Sequence, residues 1–289
     1  MLSGVMLLWF LLTAISVIFV VWDIRSTPES PVLKAGFVLL TCYTGPIGAF
    51  LYVLGCREPL PGLHEQYVSV RWRQVLGSTM HCVAGDGVGI LVGAVIGAWI
   101  HLPRLAEIAL EYALGFAFGW TIFQALFMRD MAGGSYYRSL RITFLPELLS
   151  MNFLMAGMTV VMTLAMKVTP DSRNPLGPSF WFIMSMSLLA GFVLAFPINW
   201  WLVANHLKHG MMTVRKGNRA KDQAMHEKMN PGSEMSGSGD RLPMPQMSHS
   251  HESPEQTAAQ PSGRAKSAMT LLSFLVFGAA ILVVSLVGE

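Results

Sequence analysis

A chain of 289 residues that is 53% hydrophobic and only 13% charged lies outside the composition range of soluble globular proteins. Its net charge of +3 is small and unevenly placed, which excludes a strongly basic face for nucleic acid and instead indicates membrane topology. The three cysteines are scattered and form no Cys-x-x-Cys pair, so the sequence predicts neither a disulfide framework nor a zinc knuckle. We therefore expect a polytopic membrane protein whose main partner is the lipid bilayer.

The first two predicted spans form an amino-terminal unit, residues 1–56. Residues 2–22 are continuously apolar and lack the basic start and small-residue cleavage site of a secretory signal, which predicts a retained span. Residues 32–55 form the second span. It is interrupted by Thr44-Gly-Pro-Ile-Gly48, where Pro46 is expected to kink the helix or open its hydrogen-bond ladder.

The third span carries the most unusual pattern of the chain. Residues 78–97 are apolar enough to cross a bilayer, yet they include His81, Cys82 and Asp86. Ionisable residues inside a span are expected to face protein or water and to mark a functional site. Small residues recur at every fourth position and should let a neighbouring helix approach closely. These predicted packing residues are Gly85, Gly89, Gly93 and Gly97.

Three further spans, a linker and a last span follow. The further spans cover residues 105–128, 144–166 and 180–203, and with the third span they make a four-helix unit over residues 57–204. Residues 205–266 are rich in Gly, Ser, Pro, Met and His, which predicts a disordered linker. Residues 267–289 form a tethered seventh span. The predicted fold is therefore an all-α membrane helix bundle, with a six-span core and a seventh carboxyl-terminal helix.

Polar side chains on four of these spans fall at a similar depth. The fourth span carries Glu107 and Glu111 in its first half and Gln124 near its end. At about 1.5 Å per residue, several polar groups should reach a common level in the cytoplasmic half of the bilayer. The residues expected to converge are His81, Asp86, Gln124, Glu147, Asn152 and Asn199.

These residue types permit cation chemistry. Histidine and carboxylates can carry protons or hold a cation, and a thiol with thioethers adds soft ligands that favour Cu(I). The candidate metal ligands are His81, Cys82, Asp86, Glu147, Met151 and Met155, with a copper ion as the candidate cofactor and Gln124, Asn152 and Asn199 as the surrounding polar cluster. Alternatively, the methionine stripe at helical spacing only fills the core, and the polar groups only bond one another to fix helix packing.

Two functions from different classes remain open. One is transport or handling of a cation, either a soft metal such as copper or protons, through the polar site. The other is a structural or accessory membrane protein without activity. An intramembrane enzyme has little support, because the chain has no Gly-x-Ser-x-Gly elbow or Walker loop and His64-Glu65 lacks the second histidine of a helical zinc protease. We expect no enzymatic activity.

The placement of Lys and Arg predicts the orientation. Most basic residues lie in the connections after spans two, four and six. The positive-inside rule therefore predicts a bacterial inner-membrane protein with a cytoplasmic amino terminus, a cytoplasmic linker and a carboxyl terminus outside. The first span alone argues the other way, because its only nearby charges follow it.

Three phrases of the chain carry a family resemblance. They are Met80-His-Cys-Val-Ala-Gly-Asp-Gly-Val-Gly, Thr143-Phe-Leu-Pro-Glu-Leu-Leu-Ser-Met-Asn-Phe-Leu-Met-Ala-Gly-Met158, and Phe196-Pro-Ile-Asn-Trp-Trp-Leu-Val203 followed by Lys208-His-Gly-Met. Over roughly residues 72–212 the chain resembles an uncharacterised prokaryotic integral-membrane family, the domain of unknown function 4396. The resemblance implies a bacterial or archaeal membrane domain with a His-Cys signature. It supplies no activity, substrate or cofactor.

Overall fold

The protein is a bundle of α-helices. The computed structural model describes residues 2–58, 60, 64–129, 134–208 and 261–288, and over these ranges it contains no β-strand. The helices are α1 (Leu2–Asp23), α2 (Pro31–Thr44), α3 (Pro46–Gly55), α4 (His64–Val68), α5 (Arg71–Trp99), α6 (Arg104–Phe118), α7 (Ala125–Met128), α8 (Tyr136–Val168), α9 (Pro178–Ala204) and α10 (Gly263–Gly288). A wide π-helical turn, Gly119–Gln124, joins α6 to α7.

Six helical segments of the described chain are long and apolar enough to cross a membrane. They are α1, α5, α6 with its continuation through the π turn to α7, α8, α9 and α10. The predicted all-α membrane bundle is confirmed. The second predicted span is the exception, because α2 and α3 are both too short to cross a bilayer alone.

The second predicted span is a helical hairpin and not a kinked helix. Gly45 separates α2 from α3 with a φ of 58°, a conformation that glycine adopts without steric cost. The rings of Phe37 and Tyr52 pack 5.5 Å apart across the break. A Cβ on Gly48 would lie 2.7 Å from the Cα of Thr41, whereas one continuous helix would separate these two residues by about 10 Å. Helix α3 therefore runs back along α2.

Both ends of the hairpin lie at the same end of the bundle. Arg57 follows α3, and its Nε is 3.0 Å from Oδ2 of Asp23, the last residue of α1. The hydroxyl of Tyr52 donates a hydrogen bond to the same oxygen at 2.8 Å. Close by, Gly55 at the end of α3 packs against Leu76 near the start of α5. The carboxyl end of α1, both ends of the hairpin and the amino end of α5 are thus neighbours.

This arrangement corrects the predicted relation between the first and last helices. The sequence predicts a crossing between α1 and α5, which would put the start of α1 and the end of α10 on opposite sides. The hairpin removes that crossing. The start of α1 instead lies near the start of α9, where Trp9 Nε1 donates to Ser185 Oγ at 3.1 Å. The start of α1 and the end of α10 therefore lie on the same side of the bundle.

The carboxyl-terminal helix packs directly on the bundle. Asn152 Nδ2 on α8 donates to the hydroxyl of Ser273 on α10 at 3.0 Å, and both side chains are buried. The ring of Phe277 stacks 5.2 Å from that of Tyr112 on α6. Helix α10, which its composition predicts to be a tethered span, is thus held to α6 and α8 by a buried hydrogen bond and an aromatic contact.

The predicted linker is only partly within the described chain. Residues 209–260 lie outside it. At the near end, Lys208 is only 7% exposed and folds into the bundle, although composition assigned it to the linker. At the far end, α10 begins at Gly263 and so takes in the last residues of the predicted linker.

The glycine stripe of α5 forms the contact with α6 and the π turn. A Cβ on Gly89 would overlap the backbone carbonyl of Leu114, and a Cβ on Gly93 would lie 2.9 Å from the Cα of Glu111. At the two ends of the stripe, Gly97 packs on Glu107 and Gly85 packs on Phe123. The absence of side chains on this face lets the two helix backbones touch, as small residues do in membrane helix pairs.

We expect Gly89→Ala to destabilise the bundle by about 1–3 kcal/mol, the usual cost of overpacking, because the atoms that an added methyl group would meet are backbone. The measurement is the apparent Tm of the purified protein in detergent. Gly278→Ala on α10 is the matched control, since a Cβ there meets nothing within 4 Å. Equal Tm values for the two variants would contradict the close packing of α5 on α6.

Candidate functional site

Three buried side chains from α5 and α8 meet inside the bundle. Cys82 and Asp86 are one turn apart on α5, and Glu147 reaches them from α8. Cys82 Sγ lies 3.1 Å from Glu147 Oε2 and 3.5 Å from Asp86 Oδ2, within hydrogen-bonding distance of both carboxyl groups. All three side chains are fully buried. Ligand atoms of the three residues lie within 4.8 Å of one another, close enough to surround one cation.

The other carboxyl oxygens of Asp86 and Glu147 converge beside Gly119, the first residue of the π turn. A Cβ at Gly119 would overlap Asp86 Oδ1 and lie 2.8 Å from Glu147 Oε1, so only glycine fits. Within the described chain, neither of these two oxygens has a hydrogen-bond partner. A carboxyl oxygen of Asp86 lies within 4.8 Å of one of Glu147. Two ionised carboxylates this close repel each other unless a proton or another cation lies between them.

A lysine supplies positive charge to this carboxyl pair. Lys208 Nζ donates to Asn199 Oδ1 at 2.8 Å and lies 3.8 Å from Glu147 Oε2. Asn199 donates to Ser150 Oγ at 2.8 Å, and Ser150 Oγ is 3.2 Å from Cys82 Sγ. Hydrogen bonds thus connect the lysine to the thiol through α9 and α8. Lys208 completes the site, although the sequence showed it only as a basic residue of a polar segment.

A cavity of about 400 Å³ opens at the end of the bundle where α9 finishes. Lys208 lines it, together with Gln124, Pro146 and His206. Gln124 is buried, and its Nε2 has no hydrogen-bond partner among the residues that the structure describes. Lys208 therefore contacts both this cavity and Glu147 of the carboxyl pair.

The structure turns His81 away from the three-residue cluster. Its Nε2 lies 3.2 Å from the backbone carbonyl oxygen of Phe123, and its ring centroid is 4.7 Å from that of Phe127. Adjacent residues point about 100° apart around an α-helix, so His81 and Cys82 face different neighbours. His81 is 3% exposed and therefore faces protein, as the sequence led us to expect.

The remaining predicted site residues take other positions. Asn152 accepts a hydrogen bond from the hydroxyl of Tyr112 at 2.7 Å and donates to Ser273, so it belongs to the contact among α6, α8 and α10. Met151 and Met155 are fully buried in the hydrophobic core. Of the six candidate ligands, the structure brings together Cys82, Asp86 and Glu147, and of the polar cluster only Asn199 joins them.

Two more carboxylates continue along α6 toward the opposite end of the bundle. Glu111 is fully buried, and neither of its carboxyl oxygens has a hydrogen-bond partner in the described ranges. One turn earlier, Glu107 pairs with Arg104 at 2.9 Å. Glu107 also lines a second cavity of about 490 Å³ with His101. Ionisable groups therefore occur at intervals from the cavity beside Lys208 to the cavity beside Glu107.

A family model matches the central part of this chain. Residues 71–208 match the family model described as Domain of unknown function (DUF4396). The resemblance predicted from the sequence is confirmed, and the matched segment begins with α5 and ends at Lys208. It includes every residue of the cluster, whereas α1, the hairpin and α10 lie outside it. No curated protein and no solved structure matches the chain.

Proposed function

We propose that this chain, a multi-pass membrane protein containing a DUF4396 domain, transports protons through the carboxyl pair Asp86 and Glu147. The observation that carries the proposal is the pair itself. Two buried carboxyl groups from different helices each keep one unpartnered oxygen, and these oxygens converge beside Gly119. Ionisable groups at this depth in a bundle are characteristic of proton relays and ion pathways.

Charge balance indicates what the pair can hold. With Lys208 protonated and Cys82 a neutral thiol, two ionised carboxylates leave a net charge of −1. One proton shared by Asp86 and Glu147 makes the site neutral. Releasing that proton leaves an uncompensated buried charge, which costs several kcal/mol unless another cation replaces it. The site is therefore suited to exchanging one proton for one monovalent cation.

The two cavities and the carboxylates between them support movement across the bundle. One cavity reaches Lys208 beside Glu147, and the other is lined by Glu107. Glu111 lies between these ends, buried against Gly93 of α5. A proton relay requires titratable groups at intervals, and water or small side-chain movements can bridge the distances between them.

A soft metal ion is the second candidate occupant of the same site. Cys82 offers a thiolate beside one oxygen from each carboxyl group, and thiolates favour Cu(I). Binding Cu(I) to the thiolate would release the thiol proton and leave the charge of the site unchanged. With either cation the protein would be a transporter, and we propose no enzymatic activity for it.

The test is ion flux in sealed vesicles containing the purified full-length protein. An outward gradient of Na⁺ or K⁺ should drive proton entry above the level in protein-free vesicles, reported by a trapped pH-sensitive dye. The assay is repeated with a Cu(I) gradient, and bound copper is measured by elemental analysis. Vesicles that stay impermeable under every condition, with no bound copper, would overturn the proposal and favour a structural or accessory protein.

We also propose that the basic end of the bundle faces the cytoplasm of a bacterial cell. Basic residues concentrate at the end where α5 begins and α9 finishes, and the positive-inside rule places such an end inside. The first span agrees with this orientation once α2 and α3 are a hairpin, because Arg25 then follows α1 on the basic side. The start of α1 and the end of α10 would both lie outside.

Single-cysteine labelling is expected to show this orientation. In a chain whose three native cysteines are replaced by serine, a membrane-impermeant maleimide should label Ser3→Cys and Val287→Cys in intact spheroplasts. The control Ser69→Cys, at an exposed position on the basic side, should react only after lysis. Labelling of Ser69→Cys but not of Ser3→Cys in intact spheroplasts would reverse the orientation.

A further inference from the structure

A second group of metal-ligating side chains lies where the ends of the hairpin meet the neighbouring segments. Glu29 precedes α2, Cys56 follows α3, and His64 begins α4. All three residues are buried, and their ligand atoms lie within 4.8 Å of one another. None of the three lies in residues 71–208 or contributes to the carboxyl pair.

The polar atoms of this group are incompletely bonded. Glu29 Oε1 and His64 Nε2 are 2.8 Å apart, and both side chains are inaccessible to solvent. Their other polar atoms, Glu29 Oε2 and His64 Nδ1, have no hydrogen-bond partner in the part of the chain that the structure describes. Buried polar groups are normally satisfied, so two unpartnered atoms beside a thiol leave bonding capacity that a ligand can use.

The electrostatics of the group fit a cationic ligand. Burial raises the pKa of the Glu29 carboxyl, although the hydrogen bond and charge of His64 oppose this change. Burial also raises the pKa of the Cys56 thiol, and the nearby Glu29 charge adds to the effect. Burial thus disfavours both anionic forms, and a divalent metal ion bound between the two groups would favour them.

We propose that Glu29, Cys56 and His64 bind a divalent metal ion of the zinc type and leave one coordination position open. One sulfur, one nitrogen and one oxygen form the mixed ligand set that zinc accepts. Tetrahedral zinc with bonds of about 2.0–2.3 Å places its ligand atoms about 3.3–3.8 Å apart. The nitrogen and oxygen bonds are the short ones of this range, so the distance from Glu29 Oε1 to His64 Nε2, 2.8 Å, must lengthen by about 0.5 Å, within the reach of side-chain rotation.

Metal binding at this position would join three segments that are separate in sequence. Glu29 belongs to the α1–α2 connection, Cys56 ends the hairpin, and His64 opens the helix that leads into α5. The site would fix both ends of the hairpin beside the Asp23–Arg57 ion pair. It is independent of the carboxyl pair at Asp86 and Glu147, so either site can exist without the other.

Cobalt(II) is the probe, because a cobalt–thiolate bond gives a charge-transfer absorption that carboxylate and imidazole ligands do not give. The full-length chain is used with Cys42→Ser and Cys82→Ala, which leaves Cys56 as its only cysteine. We expect the thiolate band to saturate at one equivalent of cobalt and to disappear on addition of zinc. Histidines elsewhere in the chain cannot produce this band. Its absence would overturn the inference.

A second set of variants separates this site from the carboxyl pair. In the otherwise native chain, Cys56→Ser should remove the thiolate band and the rise in Tm that zinc produces, whereas Cys82→Ala should leave both. Glu29→Gln, which keeps the size of the side chain, should weaken cobalt binding at least tenfold. A band that survives Cys56→Ser and is lost in Cys82→Ala would assign the metal to the Cys82 cluster and contradict this inference.

Discussion

Glu147→Gln should reduce proton flux through the protein by at least about tenfold, and Asp86→Asn should do the same. Each change keeps the size and shape of a side chain but removes the group that takes up and releases the proton. An amide at either position also ends the sharing of one proton between two carboxyl groups, on which the charge balance of the site depends. The measurement is the response of the trapped pH-sensitive dye to an outward Na⁺ or K⁺ gradient, in vesicles that contain equal amounts of each variant.

The matched control is Asp23→Asn, which makes the same acid-to-amide change outside the cluster. Asp23 pairs with Arg57 at the end of α1, so this variant should keep most of the wild-type flux. Size-exclusion profiles and Tm values in detergent separate lost transport from lost folding. A Glu147→Gln protein that folds normally and keeps half or more of the flux would show that the proton takes another route.

Much of the carboxyl pair could be predicted from sequence because it depends on helix geometry alone. Cys82 and Asp86 are four residues apart and so share a face, and Glu147 enters on another span at a matching depth. The structure joins these three residues. The sequence could not exclude His81 from the cluster, because His81 lies at the same depth as the cluster. Only the direction in which its side chain leaves α5 differs from that of Cys82 and Asp86. The direction of a side chain around a helix shows whether it joins a site only when the helices that pack on each face are known.

The hairpin of α2 and α3 was mispredicted because length and hydropathy do not distinguish it from a span. Residues 32–55 are long and apolar enough to cross a bilayer, and the break at Thr44-Gly-Pro was interpreted as a kink. What decides the outcome is the positive φ of Gly45, which reverses the chain where Pro46 alone would have bent it. The charges that follow α1 favoured the opposite orientation for that span. This disagreement was the sign that the sequence prediction contained one membrane crossing too many.

Long-range partners were the other part that the sequence could not supply. Lys208 lies beyond the last apolar residue of α9 in a polar segment, and nothing in that pattern shows that its amine returns to Glu147. Glu29, Cys56 and His64 occupy three separate connections, so no spacing rule brings them together. Their juxtaposition follows from the hairpin, which returns Cys56 to the level of Glu29, and it could not be inferred while residues 32–55 were taken as one span.

Removing the charge of Lys208 should change the pH dependence of transport more than any other single substitution on the basic side. In Lys208→Met the carboxyl pair needs two protons, and not one, to be neutral. The carboxylate left after a proton is released then has no lysine beside it, and removing one partner of a buried ion pair costs about 3–5 kcal/mol. We therefore expect flux at neutral pH to fall at least about tenfold, since 1.36 kcal/mol is one pH unit.

The measurement is the rate of proton flux as a function of pH, and its half-maximum in Lys208→Met should move upward by at least about one unit. Lys208→Arg keeps the positive charge and should retain the wild-type profile more closely. Lys34→Met is the control for loss of a lysine away from the carboxyl pair, because Lys34 Nζ donates a hydrogen bond to the carbonyl oxygen of Arg25 at 3.1 Å. An unchanged profile in Lys208→Met would mean that Glu147 holds its proton independently of the lysine. The charge balance of the site would then no longer support the exchange of one proton for one cation.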